Sequence, residues 1–330
     1  MRKRGISTLI SVTVAVSLGL ATTAEADATA ESSVIPSMAS EASRGDVYVS
    51  PSGKKSNPGT ASRPVRDLSD VRRVLNARRA HGHIRVLFRG GTYKLGQQEW
   101  KDYQAESITF RPESANAPVR FDGRKAQKYW LVVRPTRTKM TLTGLHVAGY
   151  TVGGIFLRGE GTADSQRVIG ATVDRMVFTG LGTETTGYAA VHLNYASNTT
   201  VRDSQFIGLA NGKCPGCMHA VYFAQQSNDN KVTGRNGFLA ISGDAVRASD
   251  YSNRNRVEYG SAFAMTGVNA VFSAWRIRDR DPRCSAGNVF VTDTDWYAGF
   301  KGKRIPAVMS GQDKEYADTC PHPQVTSERP

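Results

Sequence analysis

Residues 219–238 read HAVYFAQQSNDNKVTGRNGF. The same phrase stands one repeat earlier at 189–206 as AAVHLNYASNTTVRDSQF, and one repeat later at 244–263 as DAVRASDYSNRNRVEYGSAF. Each copy opens on Ala-Val (Ala190-Val191, Ala220-Val221, Ala245-Val246) and runs on to Ser-Asn (Ser197-Asn198, Ser227-Asn228, Ser252-Asn253). A single valine follows (Val201, Val232, Val257), then a phenylalanine (Phe206, Phe238, Phe263). Aligning Thr141, Thr172, Thr200, Lys231 and Arg256 gives spacings of 31, 28, 31 and 25 residues. A period in the twenties to thirties marks a stack of supersecondary units. The repeated segments are short and β-branched, divided by Gly, Asn and Ser turns, with no helical period. Rungs of parallel strands, one interstrand distance of about 4.8 Å apart, account for this pattern. A β-sandwich would call for two-residue Asn-Gly or Asp-Gly hairpin turns, which are scarce. At one turn Asn198, Asn228 and Asn253 are placed to stack as an amide ladder, and asparagine tolerates the left-handed backbone of a sharp corner.

Outside the repeats the chain is of different composition. Arg2, Lys3 and Arg4 precede an apolar run from Ile6 to Ala21 and an Ala24-Glu25-Ala26 cleavage pattern, which predicts a signal peptide over 1–26 and secretion. The run is too short to span a bilayer, so no membrane association is expected. Residues 27–44 are small, polar and aperiodic and read as a flexible leader. A strand at Asp46–Ser50 and a Gly/Pro-rich loop from Pro51 to Pro64 follow. Next comes a helix over Leu68–Ala80 with apolar residues at 68, 71, 74 and 75, then a strand at Ile84–Phe88 ended by Gly90-Gly91-Thr92-Tyr93.

This run (VYVSPSGKKSNPGTASRP, an amphipathic helix, a short strand, GGTY) resembles the amino-terminal cap of the pectin-lyase-like superfamily. The resemblance extends over roughly residues 46–310. It implies a right-handed parallel β-helix whose open end is plugged by the helix, and so an all-β domain over 45–310. Residues 311–330 would form a C-terminal tail tied by a disulfide.

The formal charge is +14, and loss of the three basic and one acidic residues of the signal peptide leaves +12. A basic surface attracts polyanions. In an exported protein an acidic polysaccharide is the expected partner rather than nucleic acid, with the chain acting as a monomer. Secretion also favours disulfides over metal or redox roles for Cys214, Cys217, Cys284 and Cys320. Cys214–Cys217 and Cys284–Cys320 are the expected pairs, although four cysteines permit three connectivities.

Successive strand residues point to opposite faces. Val191, Val221 and Val246, with Leu193, Phe223 and Ala248, are therefore expected to face inward. The Ala190/Ala220/Ala245 column is expected outward as a low floor beside the stack of His192, Tyr222 and Arg247. One residue before each Ala, at the strand's leading corner, lie Ala189, His219, Asp244 and Asn269. His192, Tyr222, Arg247, His219 and Asp244 form an acid–base constellation on rigid strands. Asn269, Trp275 and Arg276 are candidate substrate contacts.

Glycoside hydrolysis needs two facing carboxylates, and this face offers Asp244 alone, with Asp229 and Asp250 near turns. β-Elimination from a uronate polymer suits the set better. Arg247 would neutralise the carboxylate, His192 or His219 would take the α-proton, and Tyr222 would protonate the leaving oxygen or serve as combined base and acid. The expected function is thus that of a secreted polysaccharide lyase acting on an acidic glycan. A glycan-binding β-helix without catalysis and a glycoside hydrolase are the alternatives. Gly243-Asp244-Ala245-Val246 is similar to the phrase opening an active-face strand in pectate lyases, which implies Asp244 as a possible calcium ligand. His219 and Asn269 stand where that family has further acids, so no metal is assigned.

Overall fold

A computed structural model describes residues 45–101, 103–258, 262–275, 283–311, 321 and 323–327. The predicted signal peptide and leader, Arg276 and Cys320 lie outside the described residues. Among those described, three parallel sheets of ten, eight and seven strands carry nearly all the regular structure. One coil shows the logic of the rest. Thr172–Asp174 lies in the ten-stranded sheet, Val177–Thr179 in the seven-stranded sheet and Ala189–Asn194 in the eight-stranded sheet, before Thr200–Arg202 returns to the first. Each strand pairs in parallel with its counterpart one coil on: Thr172 with Thr200, Phe178 with Phe206, Val191 with Val221. This is the parallel β-helix that the repeat predicts, and its right-handed sense is that of parallel crossovers generally.

Rung register stacks like on like in the interior. Phe178, Phe206, Phe238 and Phe263 lie nearly parallel, with centroids 5.1, 5.1 and 4.8 Å apart. Val201, Val232 and Val257 form a fully buried file. At the amino-terminal end, helix Leu68–Arg78 packs Leu68, Val71, Val74 and Leu75 into the same core as Trp100. The Asp67 carboxylate accepts from the Ser69 and Asp70 amides and starts the helix, and Arg79 in the left-handed region ends it.

The corners hold two side-chain ladders. Asn253 N–H donates to Asn228 Oδ1 at 2.8 Å, but of the predicted asparagines only Asn198 is left-handed; on the next rungs Asp229 and Arg254 take that conformation. The fully buried ladder is another one. Asn230 Nδ2 donates to Asn255 Oδ1 at 2.9 Å, and Asn255 Nδ2 to Asn288 Oδ1 at 3.1 Å. Ser227, Ser252 and Ser285 each accept a backbone N–H from the rung before. The corners thus stay dry without orphaning their amides.

Candidate functional site

The outer face of the eight-stranded sheet carries the residues singled out in the repeats. His192 is in register with Tyr222, and Tyr222 with Arg247; Phe156 extends the column on one side and Ser273 on the other. The imidazole of His192 lies flat between Phe156, 4.3 Å away at 4°, and Tyr222, 5.4 Å away at 7°. Arg247 ends the ring stack with its guanidinium 4.2 Å from the Trp275 ring.

Two expectations need correction. Ala190, Ala220 and Ala245 do not form an outer floor; all three are fully buried in the central core with Val191, Val221 and Val246. Strict alternation fails at this corner: Ala189 packs outward against Tyr222, and the next two residues both pack in the core, where only a small side chain fits beside the valine. Nor is the outward column open. Tyr129 and Tyr188 pack over it, leaving His192 6% and Tyr222 3% exposed. The half-buried members are Arg247, Trp275, Asn269 and Tyr188.

Hydrogen bonds fix the protonation of the centre. An arginine donates and does not accept, so the 3.2 Å contact between Arg247 Nη1 and His219 Nε2 makes Nε2 the acceptor. His219 Nδ1 then donates to the Asp244 carbonyl at 2.9 Å. Burial first, and the Arg247 charge second, push the His219 pKa down to about 3. Arg247 Nη1 also donates to the Gly216 carbonyl at 3.3 Å, while Arg247 Nε, though enclosed, has no acceptor among the described residues. The Tyr222 hydroxyl shares a 2.6 Å hydrogen bond with Ser249 Oγ, and burial raises its pKa. Tyr129, also raised by burial, bonds His192 Nδ1 at 3.2 Å.

Asp244 has no exposed surface. Its Oδ1 accepts from the Asn269 and Ala270 amides at 3.1 and 3.3 Å, and Oδ2 accepts from Ser273 Oγ at 2.6 Å and more weakly from Asn269 Nδ2 at 3.5 Å. The carboxylate therefore ties one rung to the next. Calcium wants six to eight oxygens. Here one carboxylate is already enclosed by donors, and its column neighbours are His219 and Asn269, so the residues present do not fit that ion. No group of three or more His, Cys, Asp or Glu suited to a metal occurs among the described residues. Asp229 is paired with Arg254 at 2.7 Å on an exposed turn, away from this face, while Asp250 is buried.

Cys214 and Cys217 are bonded to each other as expected, and the loop they close presents the Gly216 carbonyl to Arg247. Cys284 is disulfide-bonded, while Cys320 lies outside the described residues. Ser249 and Ser273 escaped the sequence reading although alternation from Arg247 and Phe272 places both on this face. Tyr129 and Tyr188 precede their strands in segments that do not repeat, so nothing periodic marks them.

No family model matches the chain, and no curated protein does. Among solved structures it is similar to a rhamnogalacturonan lyase at 13% identity and a TM-score of 0.48, over 81% of this chain and 66% of that one. It is also similar to the pectate lyase Pel9A at 17% identity and a TM-score of 0.46, over 77% of this chain and 57% of that one.

Proposed function

We propose that this chain is a secreted polysaccharide lyase that cleaves an acidic, uronate-containing glycan by β-elimination on the outer face of the eight-stranded sheet. The observation that carries this reading is Arg247. It is a half-buried cation aimed by Gly216, His219 and Trp275, it has no carboxylate partner among the described residues, and it stands next in register to a tyrosine and a histidine. Arg247 would take the uronate carboxylate and so acidify the proton on the adjacent carbon. His192, whose Nδ1 lies 3.2 Å from the Tyr129 hydroxyl, is the base. His219 is withdrawn from that role because its Nε2 lone pair holds Arg247. Tyr222, kept neutral by burial, donates its proton to the departing glycosidic oxygen and is resupplied through Ser249. The carbon–oxygen bond breaks as the carbon–carbon double bond forms, and no metal takes part. Asp244 acts by positioning Asn269 and Ser273.

The near-complete burial of His192 and Tyr222 favours a second reading, a glycan-binding face without turnover. Incubation with pectate, alginate and hyaluronan separates the two. Ultraviolet absorbance from an unsaturated uronate product supports the lyase. Retention on the glycan without that absorbance would sink it in favour of binding, and new reducing ends without absorbance would point to hydrolysis.

A further inference from the structure

We propose a second polyanion-binding surface, on the outer face of the ten-stranded sheet, that anchors an extended acidic polysaccharide along the coil stack. It is independent of the face that carries Arg247. Thr109, Thr141, Thr172 and Thr200 stand in register on four successive rungs, and Lys231 follows in the same file. Each threonine is followed in its strand by a buried residue, Phe110, Leu142, Val173 or Val201, so the hydroxyls face outward. All four are half-buried, and none bonds to a protein group among the described residues. They form a row of donors and acceptors repeated every interstrand distance, about 4.8 Å. That spacing is comparable to one sugar residue of an extended chain.

Charge sets the kind of partner. Lys139 and Lys231 flank the row, are exposed, and have no carboxylate partner among the described residues. In the adjacent file Asp174 is 3% exposed and is met by two guanidiniums, Arg175 at 2.9 Å and Arg202 at 3.0 Å, and by the Thr143 hydroxyl at 2.9 Å. Two guanidiniums on one enclosed carboxylate leave a net positive charge around Asp174, and Glu258, farther along the same file, is itself paired with Arg256 at 2.9 Å. The face therefore offers hydroxyls for a polyhydroxylated chain and fixed positive charge for its anionic groups. No aromatic side chain stands in the file from Thr109 to Lys231, so the stacking platform that single-stranded nucleic acid uses is lacking there.

The test measures binding of the full chain to polygalacturonate in the Arg247→Ala background, so that the other face contributes little. Reversing two charges (Lys139→Glu with Lys231→Glu) is expected to weaken binding about tenfold or more at low salt. The near-isosteric Thr141→Val/Thr172→Val/Thr200→Val variant is expected to weaken it further at unchanged melting temperature. Unaltered affinity in the charge-reversed variant overturns the proposal. So does salt-insensitive binding by the parent, or double-stranded DNA bound as tightly as polygalacturonate at matched salt.

Discussion

Asp244 separates a carboxylate that does chemistry from one that holds a rung. Asp244→Ala would leave the Asn269 and Ala270 amides and the Ser273 hydroxyl without an acceptor in a site that water does not reach. Each orphaned buried donor costs about 1–3 kcal/mol, and relief of the buried charge offsets part of the sum, so a loss of about 3–5 kcal/mol is expected. Asp244→Asn is a milder change. Its oxygen can still accept from both amides, and its NH2 group can donate to Ser273 Oγ once that hydroxyl turns, leaving a loss of about 1–2 kcal/mol. Denaturant unfolding of both variants gives the stabilities, and the rate of unsaturated-uronate formation on the same samples gives the function. A positioning role predicts that activity follows stability, with Asn retaining much of it and Ala little. An Asp244→Asn protein of wild-type stability that turns over nothing would refute the reasoning, because only a carboxylate acting on substrate or metal behaves so.

Three further outcomes follow from the same geometry. Tyr222→Phe should keep the melting temperature within a few degrees, because Ser249 loses only one partner, and should lower turnover by about 100-fold or more with little change in KM; an unchanged rate moves the acid elsewhere. His219 is neutral in the folded state well below the 6.5 at which it would protonate unfolded, so the unfolded chain binds the extra proton and stability falls as pH drops below that value. Relative to His219→Gln, the wild type should lose about 2 kcal/mol between pH 7 and pH 5 in denaturant titrations, and parallel curves would contradict the assigned tautomer. Asn255→Ala strips partners from Asn230, Asn288 and the Ser227 carbonyl at a fully buried corner, for an expected loss of about 3–5 kcal/mol by thermal or chemical unfolding.

The fold was legible because a β-helix writes its geometry into a one-dimensional period. Val201, Val232 and Val257 lie one above another since each occupies the same place in its coil, and the phenylalanine file follows for the same reason. The helix, expected over 68–80 and found over 68–78, was legible from a different rule, four apolar residues at helical spacing ahead of a short strand. The expected asparagine file forms in part, from Asn228 to Asn253, and the fully buried ladder lies two residues beyond it in the same turn. Both candidate files, Asn198/Asn228/Asn253 and Asn230/Asn255/Asn288, sit in the same turn, and composition does not say which one the chain turns inward.

The site was legible in direction but not in depth. Alternation correctly stacked His192, Tyr222 and Arg247 on one face, because register is a property of the strands alone. How far each side chain lies from solvent depends on Tyr129 and Tyr188, which belong to connecting segments of unequal length and leave no periodic mark. The alanine column failed for a related reason. A corner must place two consecutive residues inward to turn the chain, and the smallness that suggested an open floor is what lets Ala220 sit in the core beside Val221. The repeat thus predicts what is equivalent from coil to coil. The proposed function rests where equivalence breaks, on the His–Tyr–Arg substitution series and the disulfide loop that sets the Gly216 carbonyl against Arg247. That loop occurs once in the stack, so the aim of the guanidinium depends on residues no other coil repeats, and the same rung position can be a silent phenylalanine at Phe156 and a directed cation at Arg247.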